Sequence, residues 1–405
     1  MSTDDTGNAA ERYLRLLGRP AGSGGTATKD AEAARSFSVR TRGADERRPE
    51  TAVSLPQAAV SDKVARLRDR LVREERQRPR DFETMTLTAR AIVREAENGL
   101  QKLRLEGPEA DLTTSERIGL EAIVETDGSR PSLSFDGGQL VVGDADLGEW
   151  NYVIAHHRER IESAAASVGR INLDGTQCGT GFSFGDGRVL TNRHVLQLIA
   201  EQNDDGRWRL RGNATIDFGA GLRPEPAHIF KIVSGPIVAG DDRIDPLRID
   251  FQKDDYAVLQ CEASGAGSFP SPLVPETDPG HIIVSRAVYA IGFPGEPIRG
   301  RYPFEVLARL FDYTFGVKRF SPGEIDTTPG TEGDDIHRTV MGYDSTTLPG
   351  SSGSAVIDVD ASKARVIGLH FAGWDKGNYA HALAASHIRD ELEDRGIPYP
   401  TAPSG

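Results

Sequence analysis

The chain of 405 residues contains very little cysteine, with only Cys178 and Cys261. Small secreted proteins that depend on disulfides carry several cysteines, so a disulfide-built scaffold is excluded. Both residues fall in strand-like segments and are predicted to be buried thiols, and a bridge between them stays open. Two cysteines without a nearby spaced Cys or His pair also argue against a structural zinc site, so we expect no metal.

Long apolar runs and an excess of positive charge are missing as well. No stretch of about 18 apolar residues occurs, which excludes a membrane-spanning helix. The start of the chain, MSTDDT, lacks the positive region and apolar core of a signal peptide. The 61 acidic residues outnumber the 48 Lys and Arg, giving a net charge of −13. We therefore predict a cytoplasmic protein that binds neither nucleic acid nor membranes.

The length allows two or three domains, and the composition divides the chain into four parts. Residues 1–60 are rich in Gly, Ser, Thr, Ala and charge and are predicted to be mostly disordered, with a short helix at 10–17. Residues 61–165 are predicted to form a helical leader region with a β-hairpin. Residues 166–392 are predicted to form the main domain, and residues 393–405 a C-terminal tail.

The leader combines several local patterns. Apolar residues at Val64, Leu67 and Leu71 follow the spacing of an amphipathic helix, which Pro79 ends. The segment 113–116, Thr-Thr-Ser-Glu, is typical of the capped start of another helix, and residues 132–142 alternate about an Asp-Gly turn. The charged helices fit a solvated surface and a surface that binds a regulatory partner equally well.

A serine between glycines is the main chemical motif. In the segment Gly350-Ser351-Ser352-Gly353-Ser354, the glycines allow the tight turn that aims the amides of Gly350 and Ser352 at one point, as an oxyanion hole requires. A serine also needs a base within hydrogen-bond reach before it becomes a nucleophile. Alone, this motif would be an ordinary surface turn. We predict Ser352 as the nucleophile ahead of Ser351 and Ser354.

Two earlier segments supply a base and a carboxylate. His194 follows two alternating strands joined by a Gly-Asp-Gly turn, which places it at a strand end. Asp255 opens an apolar strand and is preferred to its neighbour Asp254 for that reason. The order His, Asp, Ser is that of the chymotrypsin-type triad, and separations of 61 and 97 residues suit two successive small barrels. The sequence thus predicts a serine endopeptidase that acts on proteins or peptides and needs no cofactor.

Six segments together resemble the bacterial trypsin-like peptidases close to the V8-type glutamyl endopeptidases. The resemblance implies a mainly β fold of two six-stranded antiparallel barrels, with catalysis in the cleft between them and the helical leader in front. It implies the nucleophile, base and orienting roles for Ser352, His194 and Asp255. Pro349 and Ser351 depart from the V8-type pattern but supply no triad side chain. The segments lie at 179–182, 190–195, 255–259, 291–294, 343–354 and 368–373.

The strand after the nucleophile, at 366–373, is expected to line the primary specificity pocket with His370, Phe371 and Gly373. An imidazole and a hydroxyl can both donate to a carboxylate, and Thr347 is placed to supply the hydroxyl. In V8-type enzymes the matching His and Thr bind a substrate glutamate, so the resemblance implies cleavage after Glu or Asp. The alternative for His370 is a satisfied core histidine.

Two other functions are weighed against this one. A catalytically silent binding module would have lost a triad member, whereas all three are present. An HtrA-like quality-control protease carries a peptide-binding domain downstream, and we expect no room for one after the helix predicted at 386–395. We further expect the leader to restrain the peptidase.

Overall fold

The computed structural model describes most of the chain. Most of the segment predicted to be disordered, and Pro79, lie outside the described residues. The described residues are 7–17, 55–77, 82–126, 128–143, 147–223, 228–240, 243–245, 248–262, 268–296, 314–360, 364–374 and 377–401.

The first four of the five described α-helices that precede the barrels pack around an apolar core of their own. The predicted apolar face at Val64, Leu67 and Leu71 is buried in that core, and the short helix predicted at 10–17 is confirmed. Within the described residues, no helix has the length and hydropathy needed to cross a bilayer. The helices are α1 (Gly7–Leu17), α2 (Gln57–Gln77), α3 (Phe82–Glu106), α4 (Thr114–Thr126) and α5 (Trp150–Ala166).

The start of α4 is a capping box, as predicted. The Thr113 amide donates to Glu116 Oε2 at 2.7 Å, and the Glu116 amide donates to Thr113 Oγ1 at 3.2 Å. Lys102 Nζ of α3 donates to the same Glu116 oxygen at 2.9 Å. These bonds satisfy helix N-terminal donors and tie α4 to α3.

The first barrel is closed by six antiparallel strands in the order β10-β5-β4-β3-β8-β9. The predicted turn between β4 and β5 has Asp186 and Gly187 at φ of 52° and 72°. A short helix, α6 (Arg193–Ile199), follows β5, and β6 (Ala200–Gln202) pairs with β7 (Trp208–Leu210) outside the barrel. The barrel strands are β3 (Val168–Leu173), β4 (Thr176–Gly185), β5 (Arg188–Thr191), β8 (Ala214–Asp217), β9 (Ile229–Ala239) and β10 (Ala257–Glu262).

The second barrel has the order β12-β15-β16-β17-β14-β13 and is closed by pairing of β12 with β13. A short strand, β11 (Val274–Pro275), adds to β16, and α7 (Ser386–Asp394) follows the barrel. The predicted fold of two six-stranded antiparallel barrels behind a helical region is confirmed. The strands are β12 (Ala287–Gly292), β13 (Arg319–Thr327), β14 (Val340–Tyr343), β15 (Ala355–Asp358), β16 (Arg365–Trp374) and β17 (Gly377–Ala382).

The predicted leader hairpin joins the leader to the second barrel. Its strands are β1 (Leu133–Asp136) and β2 (Gln139–Leu140). Leu133 pairs with Phe320 of β13, and Trp150 of α5 lies in the apolar core that the two barrels share. The leader and the second barrel therefore have a sheet and a core in common.

Both cysteines are free thiols, so they form no bridge. Cys261 is buried at the end of β10, and burial raises its pKa to about 12. The prediction of a buried thiol is wrong for Cys178, which is half-buried because the first residues of β4 lie at the edge of the barrel.

Candidate active site

His194 and Asp255 are brought together by neighbouring strands. His194 lies in the first turn of α6 directly after β5, and Asp255 lies just before β10. Thr191 pairs with Ala257, so the adjacent ends of β5 and β10 deliver the two side chains to one place. Asp255 Oδ2 is 2.6 Å from His194 Nδ1, and Oδ1 accepts from the His194 backbone amide at 2.9 Å. The carboxylate thus fixes both the ring and the backbone of the histidine.

The surroundings of Asp255 favour its charged form. Burial by itself raises its pKa, but the charge and hydrogen bonds of His194 outweigh burial and hold the pKa below its usual value. Its own amide donates to His381 Nε2 at 3.1 Å. The neighbouring Asp254 instead contacts His387, with 2.9 Å between Oδ2 and Nε2. Asp255, and not Asp254, is the carboxylate that holds His194.

The three serines of the glycine motif differ sharply in exposure. Ser351 and Ser354 are buried, and the Ser354 hydroxyl donates to the Ser351 carbonyl. Ser352 is half-exposed between them. Of these three hydroxyls, that of Ser352 is therefore the one within reach of a substrate.

The serine loop is anchored on β4 of the first barrel. The Thr180 amide donates to the Ser352 carbonyl at 2.8 Å, and Thr180 Oγ1 donates to the Gly350 carbonyl at 3.1 Å. A Cβ on Gly353, which has φ of 90°, would lie 1.9 Å from the Thr180 carbonyl, so this approach requires glycine. In the described part of the chain, the amides of Gly350 and Ser352 donate to no other residue. Both are available to a ligand.

Gly179 of β4 shows where the serine lies relative to the histidine. A Cβ built on Gly179 would lie 2.7 Å from Val195 Cγ2 and 3.2 Å from the Ser352 carbonyl oxygen. Val195 directly follows His194 in α6. Ser352, from the second barrel, and the histidine segment of the first barrel thus meet at the same point of β4.

His370 is a buried histidine on β16 beside these residues. Burial, with a smaller contribution from His194, lowers its pKa to about 3, so its ring is neutral at physiological pH. Its Nδ1 is 2.9 Å from the hydroxyl of Tyr343, whose own pKa burial raises. A neutral ring that accepts from this hydroxyl at Nδ1 carries its proton on Nε2.

Thr347 and Gly373, two further residues predicted to line the pocket, lie next to His370. A Cβ on Gly373 would lie 3.1 Å from both His370 Cε1 and Thr347 Oγ1. The Thr347 hydroxyl donates to Asn378 Oδ1. Sequence analysis missed Asn378, although pairing of β16 with β17 brings it opposite Gly373. Glycine at 373 leaves open the space that His370 and Thr347 border.

Phe371 has different neighbours from the other three predicted pocket residues. Its ring stacks on His381 at 4.3 Å and meets Phe251 edge-on at 6.3 Å. His381 in turn accepts from the Asp255 amide. The Phe371 side chain thus packs against the histidine that binds the Asp255 backbone, and nothing in the local sequence around His381 indicates this role.

Comparison with known proteins identifies the family. A family model described as a trypsin-like peptidase domain matches residues 179–369. Over 322 residues the chain is 31% identical to a protein of Lysobacter enzymogenes named a probable serine protease, covering 73% of this chain and 79% of that one. The chain belongs to the trypsin-like serine peptidases. The peptidase is thus a serine endopeptidase, a hydrolase that acts on proteins or peptides.

Among solved structures, the peptidase is similar to the Rv3671c protease of M. tuberculosis. The inactive form is 22% identical, with a TM-score of 0.35, and covers 61% of this chain and 93% of that chain. The active form is 20% identical, with a TM-score of 0.37, and covers 62% and 89%. None of these relatives is named a V8-type enzyme, so the V8-type resemblance stays a prediction.

Proposed function

We propose that this peptidase cleaves polypeptides after glutamate, and more weakly after aspartate, through an acyl-enzyme on Ser352. The observation that carries the proposal is the double contact of Asp255 with His194, in a segment that meets the half-exposed Ser352 at Gly179 of β4. With Nδ1 bound to the carboxylate, the His194 ring keeps its lone pair on Nε2 and acts as the base.

The reaction follows from these positions. His194 takes the hydroxyl proton of Ser352 as Oγ attacks the scissile carbonyl, and the amides of Gly350 and Ser352 stabilise the resulting oxyanion. His194 then passes the proton to the leaving amine. A water molecule, deprotonated by His194, then attacks the acyl-enzyme in the same way and releases the acid product. Asp255 stays ionised throughout and stabilises the imidazolium.

The glutamate preference rests on the space beside Gly373. The neutral His370 ring offers Nε2–H as a donor, and the Thr347 hydroxyl supplies a second donor when it turns from Asn378 towards the substrate carboxylate. Hydrogen bonds to a carboxylate are roughly twice as strong as neutral ones. Aspartate is shorter by one methylene and reaches both donors less well.

A peptide library that varies only the residue before the scissile bond tests this proposal. We expect cleavage after Glu, weaker cleavage after Asp and much weaker cleavage after Gln, which keeps the shape of Glu but lacks its charge. Ser352→Ala protein is the control for contaminating proteases. Equal cleavage after Arg, Lys or large apolar residues would overturn the glutamate pocket and leave the peptidase assignment intact.

We also propose that the leader regulates the segment 344–350, which carries Thr347 and Gly350. Arg12 of α1 donates to the Asp344 carbonyl at 3.3 Å and pairs with Glu121 of α4. Leu348, four residues before the nucleophile, is buried in the apolar core of the leader helices. A partner that displaced α1 would therefore act directly on this segment.

We propose a cytoplasmic location for the protein, which its two free thiols support.

A further inference from the structure

A second group of reactive side chains lies outside the proposed catalytic residues. Asp254, His337 and His387 are each half-buried, and their ligand atoms all lie within 4.8 Å of one another. Asp254 precedes β10, His337 lies between β13 and β14, and His387 is in α7. The first barrel thus contributes the carboxylate, and the second barrel with its helix contributes the two imidazoles.

One buried oxygen atom of this group has no hydrogen-bond donor among the described residues. His387 Nε2 is 2.9 Å from Asp254 Oδ2, and the rings of His337 and His387 stack with centroids 4.0 Å apart and planes at 9°. The second carboxylate oxygen, Asp254 Oδ1, is buried, and no described residue donates to it. A buried acceptor without a donor costs free energy. A cation held between this carboxylate and the two rings would remove that cost.

Although the sequence predicted no metal, we propose that Asp254, His337 and His387 form a zinc site. Zinc binds imidazole nitrogen and carboxylate oxygen at about 2.0–2.2 Å, and three protein ligands with one open position suit its tetrahedral geometry. Two imidazoles in the set disfavour calcium and magnesium, which prefer oxygen alone. Because both rings are only half-buried, they can turn out of their stack by the small amount that coordination requires.

The site lies at the contact between the two barrels, beside the proposed catalytic carboxylate. Consecutive residues of the first barrel contact the second barrel here: Asp254 contacts His387, and Asp255 contacts His381. A zinc ion bound to Asp254 and to α7 would fasten this contact. We expect the ion to stabilise the folded chain, because a ligand that binds only the native state raises its unfolding temperature.

Calorimetric titration of zinc into the metal-free full-length protein tests the site directly. We expect one zinc ion per chain, and a loss of affinity of at least tenfold in His337→Gln and in His387→Gln. His156→Gln, which changes an exposed histidine of α5, is the matched control and should bind zinc like the wild type. Zinc should raise the unfolding temperature of the wild type and this control, and not of the two site variants.

Circular dichroism and labelling of Ser352 by a phosphonate establish that each variant is folded. His337→Gln changes a loop residue, so it tests the site even when a change in α7 disturbs folding. Absence of zinc binding at micromolar concentration would overturn the proposal, as would undiminished binding in both site variants. These outcomes leave the peptidase assignment untouched, because the titration does not depend on activity.

Discussion

At the scale of single residues, the proposed pocket depends on the lack of a side chain at Gly373. His370 and Thr347 border the space that a side chain at this position would fill. The same position lies opposite Asn378 across the β16–β17 pair. One methyl group is therefore enough to test whether this space receives the substrate.

Gly373→Ala should abolish most cleavage after glutamate. Its Cβ would lie 2.3 Å from Asn378 Oδ1 and 3.1 Å from His370 Cε1, which displaces the donors of the pocket. A misplacement of about 1 Å can cost about 10²-fold in rate, so we expect kcat/KM for Glu peptides to fall by about that factor. Gly333→Ala is the control, since a Cβ there meets no atom within 4 Å. Equal kcat/KM in both variants would contradict the pocket.

Burial of His370 should make the protein less stable in acid. Its pKa is about 3 in the folded protein and about 6.5 when the chain is unfolded, so the unfolded chain binds the proton first as the pH falls. Above pH 6.5, His370 is neutral in both the folded and the unfolded chain, so it makes the stability no more dependent on pH. Below this pH, the free energy of unfolding should drop by about 1.4 kcal/mol per pH unit towards pH 3 because of this residue.

Urea unfolding of the wild type and of His370→Phe between neutral and acid pH measures this slope. The free energy of unfolding of the variant should fall less steeply with decreasing pH, by about 1.4 kcal/mol per pH unit, because it lacks the one proton that the unfolded wild type takes up at His370. Identical slopes in the wild type and His370→Phe would show that His370 is not the buried neutral group described here.

The chemistry of these residues was predictable from the sequence only where local pattern dictates it. The glycines around Ser352 indicated a tight loop, and the strand after Asp255 favoured it over Asp254, which agrees with the contact to His194. His381 and Asn378 gave no signal, because their roles depend on strands that pair across the second barrel. Patterns within a few residues are visible in a sequence, and contacts between distant segments are not.

At the scale of elements, too, local features were predictable from the sequence and contacts between distant segments were not. The capping box of Thr113 and Glu116 and the turn at Asp186 and Gly187 are local, and the sequence predicted both. The pairing of β1 with β13 joins residues almost 190 positions apart, such as Leu133 and Phe320. The spacing of apolar residues within each strand does not indicate such a pairing, so the sequence predicted the hairpin but not its pairing with the second barrel.

Helix α1 is the element whose displacement should change activity. Leu17 is buried in the leader core, so Leu17→Asp places a charge there and should undock α1. If the leader restrains the segment 344–350, peptide cleavage should rise several-fold. Glu11→Gln changes an exposed residue of the same helix and should have no effect.

Arg12→Gln provides a second variant, because it removes the contact with the Asp344 carbonyl and the ion pair with Glu121 and leaves the apolar face of α1 intact. A rise in cleavage in both variants supports restraint. Unchanged or lower activity in folded protein would show instead that α1 supports the site or has no influence on it.

At the scale of the whole molecule, a buried ion pair connects the leader to the second barrel. Arg130 donates to both carboxylate oxygens of Asp344, at 2.7 and 2.8 Å, and both side chains are almost fully buried. Asp344 Oδ1 also accepts from the Glu324 amide at 2.8 Å. Breaking a buried pair by removing one partner typically costs about 3–5 kcal/mol. Removal of the whole leader would therefore destabilise the barrel, so regulation is better tested by displacing α1 alone.

The central claim is that Ser352, His194 and Asp255 act as one catalytic unit between the barrels. Labelling of the full-length protein with a serine-directed phosphonate, followed by mass spectrometry of the modified peptide, tests it most directly. We expect the wild type and Ser351→Ala to be labelled on Ser352 and Ser352→Ala to remain unlabelled. Asp255→Asn should lower peptide turnover by about 10⁴-fold, because the histidine loses its correct tautomer. Labelling at another residue, or undiminished cleavage by Ser352→Ala protein, would contradict this account.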